Sequence, residues 1–349
     1  MEERVAITGL GAISPAGVGK DALLQALLAG TPSVVEEEVA PGEVRPVGRV
    51  GELTPTAVRL QSSKASQIDV VSRYAVEACG QALLDSGLEM NDELRARSGV
   101  LIGTAFGCFE SNVLFDQYWQ SDDGRLMDVS PLLFKSTVAN AAAGWVSILL
   151  KLRGINATFV SGRTAAAEAL GHGFDMIRDG VADVVLAGGI ERILPINLLL
   201  DPVEEGIASE GAGVAALESL SHAEARNARI YGHVQGYARR STRAGDEAWL
   251  IDQTLQELAI PRDQVGAVVV SRSSDEALAM LRTGLNDRGI TAQLWPWKRV
   301  LGECYGAWTG LALAGACLKL EALPPETPTV LIVSIDPGQE GICLAVRRP

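Results

Sequence analysis

The stretch GINATFVSGRTAAAEALGHGFDMIRDGVADVVLAGGIE, residues 154–191, decides how this chain folds. Residues 157–161 and 183–188 read as strands, and Ala165 to Arg178 between them places Ala166, Leu170, Phe174 and Ile177 on one helical face, with Gly180 as the stop. The many alanines let neighbouring backbone come close, as a helix wedged between two sheets requires. A strand therefore turns into a buried helix, and the residue at the turn is Arg163.

Working outward, Val5 to Leu10 reads as a buried strand ending at Gly11, and Lys20 to Ala29 as a helix closed by Gly30. Residues 31–56, with their prolines and the run Glu36-Glu37-Glu38, read as a surface excursion. A helix from about Asp69 to Ser86 follows, with Val71, Tyr74, Ala75, Ala78 and Leu83 inward. It leads to Gly99–Gly103, a strand without polar alternation and so buried on both faces. The order recurs as a helix from Trp249 to Leu258 and a strand from Val265 to Ser271. With strands at 212–217 and 329–346, this weak repeat fits two similar halves of sheet flanked by helices.

Thirty basic residues against forty-three acidic ones leave a net charge of −13 over 349 residues. Such a surface repels polyanions, which argues against nucleic acid as a partner. The five cysteines are widely spaced, with neither a CxxC pair nor a histidine pattern, and read as reduced thiols of a cytoplasmic protein without a metal. No basic-then-apolar leader and no membrane-length apolar run is expected. No P-loop or dinucleotide fingerprint is present, so no cofactor is expected. Ser161-Gly162 lacks the Gly-x-Ser-x-Gly spacing of a hydrolase elbow.

The segment from 154 to 191 resembles the nucleophile elbow of β-ketoacyl-acyl-carrier-protein synthases. Further segments fall in that family's order and spacing: VAITGLGAISPAGVG at 5–19, SPLLFKSTVANAAAGWVSILLKLRG at 130–154, EGAGVAALESLSHAEARNARIYGHVQGY at 210–237, and Lys298 followed by Gly302 and Gly306. The resemblance implies an α/β, thiolase-like fold: two similar βαβ-type halves forming a layered α-β-α-β-α core, residues 1–209 with a degenerate elbow and residues 210–349.

Carried over position by position, the family's catalytic set is absent. Arg163 stands for the cysteine, Ser271 for the first histidine and Glu303 for the second, while Lys298 is retained. The family's glutamate near that lysine becomes Ala312, and its C-terminal glycine-rich gate becomes Ser334-Ile-Asp-Pro-Gly338. Between Glu191 and Glu210 part of the usual family insert is missing.

Condensation of this kind needs a thiolate to carry the acyl chain and neutral donors to stabilise the enolate. A guanidinium cannot attack a thioester, and Glu303 would repel a developing anion. Arg163 also opposes the helix dipole and needs a carboxylate. Glu303 is the expected partner, with Lys298 competing for Glu303 or turning to Asp336; alternatively Arg163 points to solvent and Glu303 is a loop acid.

The resemblance then implies a non-catalytic chain-length-factor subunit, inactive by itself. It would form a heterodimer with an active ketosynthase in type II polyketide or polyene biosynthesis and meet acyl carrier protein mainly through that partner. Leu132, Leu133 and Phe134 are candidates to limit the partner's acyl tunnel, or are plain interface packing. Two alternatives stand: an enzyme with a relocated nucleophile such as Cys108, and a homodimeric binding or scaffold protein. His172 reads as a packed or hydrogen-bonded core residue, and Trp295, Trp297 and Trp308 as core filling or tunnel lining.

Overall fold

Strand β1 (Val5–Ser14) is buried along its whole length. It continues beyond Gly11, where the sequence suggested an end, because its pairing with β9 (Gly211–Ser219) runs on to Ile13 opposite Ala212. The computed structural model, which describes residues 4–58, 67–120, 131–200, 203, 206–243, 245–336 and 340–349, builds outward from this strand.

Beyond β9 lie β7 (Val184–Glu191), β5 (Ser98–Gly103) and β6 (Asn156–Phe159). On the other side of β1 come β10 (Gly232–Arg240), β14 (Glu340–Arg347), β13 (Thr329–Asp336), β11 (Val265–Val269) and β12 (Gln293–Trp295). With β2 (Gly17–Val18) hairpinned onto β1, this is an eleven-stranded mixed sheet.

The pairing is symmetric about the β1–β10 contact. On one side β1–β9 and β9–β7 are antiparallel and β7–β5 and β5–β6 parallel. On the other, β10–β14 and β14–β13 are antiparallel and β13–β11 and β11–β12 parallel. We propose on this pairing that the two halves, expected as 1–209 and 210–349, exchange between β9 and β10.

Helices make the layers. Helix α5 (Ala165–Arg178) packs on β5, β7 and β9 but also on β10 and β14, and α8 (Trp308–Lys319) on β7, β9 and β13, so both lie between the two halves of sheet. Close approach is built in: a Cβ on Gly213 of β9 would stand 2.1 Å from the Leu311 nitrogen of α8. Helix α2 (Val70–Asp85) covers β1, β7 and β9 on the outside, beside α4 (Ala141–Leu150). Asp69 caps α2 by accepting from the Ser72 N–H at 2.9 Å, worth about 1 kcal/mol. On the far side α6 (Glu247–Glu257) packs on β10, β13 and β14, and α7 (Asp275–Asn286) on α6. This is the α-β-α-β-α order of a thiolase-like fold.

Residues 31–56 are not all irregular. Strands β3 (Val35–Ala40) and β4 (Glu43–Gly48) pair antiparallel, and β4 joins β8 (Ala208–Ser209) in a three-stranded sheet. Their mostly exposed side chains masked them: Val39 and Val47 are the large apolar side chains of the two strands that turn fully inward. The sheet is tied down by Glu210, fully buried, whose carboxylate accepts from Arg49 at 2.9 Å, Arg192 at 2.6 Å and the Val50 N–H at 2.9 Å. Among the described residues no helix is long and apolar enough to cross a membrane.

Candidate functional site

Arg163 lies in a single 3-10 turn, Gly162–Thr164, that carries the chain from β6 into α5. The turn needs glycine at 162: its φ is +60°, and a Cβ there would stand 1.8 Å from Asp336 Oδ2. That carboxylate, at the end of β13, accepts from the Arg163 backbone N–H at 3.2 Å and faces its guanidinium at 3.7 Å. The Ser334 hydroxyl donates to the Arg163 carbonyl at 2.7 Å. The C-terminal end of β13 thus clamps the turn, and Pro337 and Gly338 of the same segment lie outside the described residues.

Glu303 approaches from the other side. Helical turn Lys298–Leu301 ends at Gly302, and Glu303 bridges to Ala208 of β8, donating its N–H to the Ile207 carbonyl at 2.7 Å. Its side chain is 5% exposed and meets Lys298 Nζ at 2.8 Å and Arg163 Nε at 3.4 Å, while Oε1 accepts from the Tyr305 N–H at 2.9 Å. Burial alone would push this carboxyl up. Lys298 and then Arg163 outweigh that and hold it below the usual carboxylate range. Of the two choices open to Lys298, it takes Glu303, which leaves Asp336 to Arg163.

Tyr305 completes the enclosure. It is fully buried with φ +44°, a left-handed conformation that costs a non-glycine residue on the order of 1 kcal/mol. Its ring lies 5.2 Å beneath the Arg163 guanidinium and meets Phe106 edge-on at 4.9 Å. The next N–H, of Gly306, goes to a different carboxylate: Glu191 Oε2, at 3.1 Å. Glu191 ends β7, is fully buried, and also accepts from the Ala105 N–H at 2.7 Å, the Phe106 N–H at 3.3 Å and the Thr104 hydroxyl at 3.1 Å. Burial raises it to about 7 despite those donors.

Ser271 lies two residues beyond β11 at intermediate burial, and its neighbour Arg272 pairs with Glu247 of α6 at 2.5 Å. Ala312 is buried inside α8. Leu133 and Phe134 lie on the short helix Pro131–Phe134; Phe134 is 61% exposed and tilts against Phe115 at 6.0 Å, while the Leu132 side chain lies outside the described ones. His172 is not a core residue: it is 41% exposed and stacks on Phe159 at 5.0 Å, because its position on α5 faces the rim of the sheet beside β6. Trp295 and Trp297 stack at 4.9 Å and, with Trp308, belong to the main core.

The chemistry open to this cluster is ionic. Cys304 beside it is buried, which pushes its thiol up to about 12, and burial does the same to Cys108. Ser161 donates to Glu168 at 2.6 Å, so the carboxylate rather than an imidazole faces its hydroxyl. Among the described residues no group of three or more His, Cys, Asp or Glu side chains could hold a metal. Sequence reading missed Tyr305 and Glu191 as members of the site. Glu191 was visible as the one acid ending a fully apolar strand, whereas a left-handed tyrosine leaves no signal in the sequence.

A strand that turns into a helix wedged between two half-sheets is the arrangement of the thiolase-like fold. Comparison with known proteins names the family: the chain belongs to the β-ketoacyl synthases, with residues 2–200 matching the beta-ketoacyl synthase N-terminal domain. It is 31% identical over 381 residues to 3-oxoacyl-(acyl-carrier-protein) synthase 2 of Coxiella burnetii, covering 97% of this chain and 90% of that one. The same synthase of Vibrio cholerae is 30% identical over 337 residues, 86% of this chain and 78% of its own. Among solved structures, the ishigamide ketosynthase/chain length factor superposes with a TM-score of 0.85 at 20% identity, covering 100% of both chains. A type II polyketide acyl-carrier protein in complex with its ketosynthase, bound to the hexaketide, gives a TM-score of 0.81 at 20% identity, again over 100% of both chains.

Proposed function

We propose that this chain is a non-catalytic chain-length-factor subunit, which pairs with an active ketosynthase and shapes that partner's acyl tunnel in a type II polyketide or polyene pathway. The observation that carries the reading is the ion-paired Arg163: the position read as the family's cysteine holds a guanidinium bound to Glu303 and Asp336. Its curated relatives are named as synthases, so the chain has their fold without a thiol in that place. On this reading Arg163, Ser271 and Glu303 are the degenerate active-site positions and Lys298 is the survivor. A relocated nucleophile finds no support at Cys108, which is buried and hard to ionise.

A partner surface is available. Among the described residues β6 is the last strand of its side of the sheet, paired only with β5. Beside it Ile148, on the adjacent α4, and Val160, at its own end, are exposed. An unpaired edge beside exposed apolar side chains is a ready template for a second sheet. Phe134, exposed on its short helix, is the candidate to enter a partner's tunnel, and acyl carrier protein would then dock mainly on the partner.

Co-expression with a ketosynthase that keeps the cysteine and both histidines tests this. The expected result is a stable one-to-one complex by native mass spectrometry, with product length altered by Phe134→Ala. A homodimer that ignores the ketosynthase would favour the scaffold alternative, and thioester turnover by the isolated chain would favour the relocated nucleophile.

A further inference from the structure

The Arg163 cluster has the parts of a receptor for a small carboxylate. Two cations, Lys298 Nζ at 2.8 Å and Arg163 Nε at 3.4 Å, converge on one oxygen, and the Tyr305 N–H at 2.9 Å holds the other. Behind them stands the N-terminus of the fourteen-residue helix α5, an end that favours anions. What fills this receptor is the protein's own Glu303.

We infer that the cluster is a carboxylate-binding site kept shut by a tethered ligand, and that a free small carboxylate takes the place of Glu303 once that side chain is removed. Replacing glutamate by alanine deletes a CH2–COO group, which is acetate less one hydrogen. The space, both cations and the backbone donor remain, because Lys298, Arg163 and Tyr305 are each anchored elsewhere. The Lys298 carbonyl closes its own helical turn, Asp336 and Ser334 hold the Arg163 backbone, and Tyr305 packs on Phe106. In the native chain the tethered carboxylate has no translational entropy to lose and so outcompetes acids in solution. The tethered carboxylate therefore keeps free carboxylates out of the pocket. This holds whether or not the chain pairs with a ketosynthase.

The test is thermal unfolding of the full chain in sodium acetate against sodium chloride at matched ionic strength. For Glu303→Ala we expect a lowered Tm and a rise that grows with the logarithm of acetate concentration above a Kd of about 10 mM, reaching about 2 °C at ten times that. Propionate, one methylene longer, is expected to give a smaller rise. Wild type and Glu303→Gln, in which the space is filled, are expected not to respond. Adding Lys298→Ala to Glu303→Ala is expected to abolish the response. An acetate effect no larger than that of chloride, or equal in wild type and variant, overturns the inference. Should Glu303→Ala not fold alone, its refolding yield from urea in acetate against chloride serves instead: a higher yield in acetate supports the site, and no difference overturns it.

Discussion

Glu303 and Glu191 are both buried, and they hold successive N–H groups of one turn, those of Tyr305 and Gly306. Yet one carboxyl is held below the ordinary range and the other is raised to about 7. Glu191 has the larger number of neutral donors: three backbone N–H groups and a hydroxyl. Glu303 has one such N–H but two cations. Neutral dipoles ease burial without cancelling it, whereas full charges at contact distance reverse its sign. In this chain the ion pairs, more than the hydrogen bonds, decide which buried acid stays ionised.

The largest test of that contrast is Lys298→Ala. It removes the nearer cation and leaves a buried carboxylate under-compensated, at an expected cost of about 3 kcal/mol and a Tm lowered by about 5 °C or more. Chemical denaturation and calorimetry would measure both, and an unchanged stability would mean that the cations do not hold Glu303.

A smaller effect is the opposite pH dependence of the two acids. The folded pKa of Glu303 is lowered, so its stabilisation is present above the usual carboxylate range and fades as pH falls through it. The stability gap between wild type and Glu303→Gln, about 1–2 kcal/mol at neutral pH, is expected to shrink on acidification. Glu191 is raised to about 7, so its contribution is full below the ordinary carboxylate value and is lost as pH rises through 7. Glu191→Gln is therefore expected to flatten the fall in stability between about pH 5 and pH 8, and to delete a protonated-carboxyl band from the infrared spectrum near pH 6. If the two variants shift the pH profile in the same direction, the contrast fails.

The smallest expected effect is in activity. Arg163→Cys restores a thiol but leaves Glu303 where an imidazole would be needed. Acyl transfer from a thioester, measured by intact-protein mass spectrometry, is expected to stay at background.

Much of the fold was legible. Helix Lys20–Ala29 and the capped helix after Asp69 match the apolar spacing, as does α5, and strands such as β5 announce themselves by unbroken apolar runs. What escaped was set by tertiary contact. β3 and β4 alternate too weakly to read as strands until β8 pairs with β4 across a long stretch of chain. The site was legible in part: Arg163 demanded an acid, and its separation from Glu303 by 140 positions collapses to 3.4 Å only through the layered topology. Asp336 was foreseen as one of two partners for Lys298; Lys298 takes the other, Glu303, and Asp336 serves Arg163, because the Gly162 turn brings the arginine backbone onto it.

The interlock of Arg163, Lys298 and Glu303 acts as an evolutionary ratchet. Replacing Arg163 by cysteine or Glu303 by histidine, one at a time, strands a charge left by the other two, so each single step passes through a less stable protein. The chain is free to drift in surface and partner, but exchanging this trio for uncharged side chains requires several concerted changes at once.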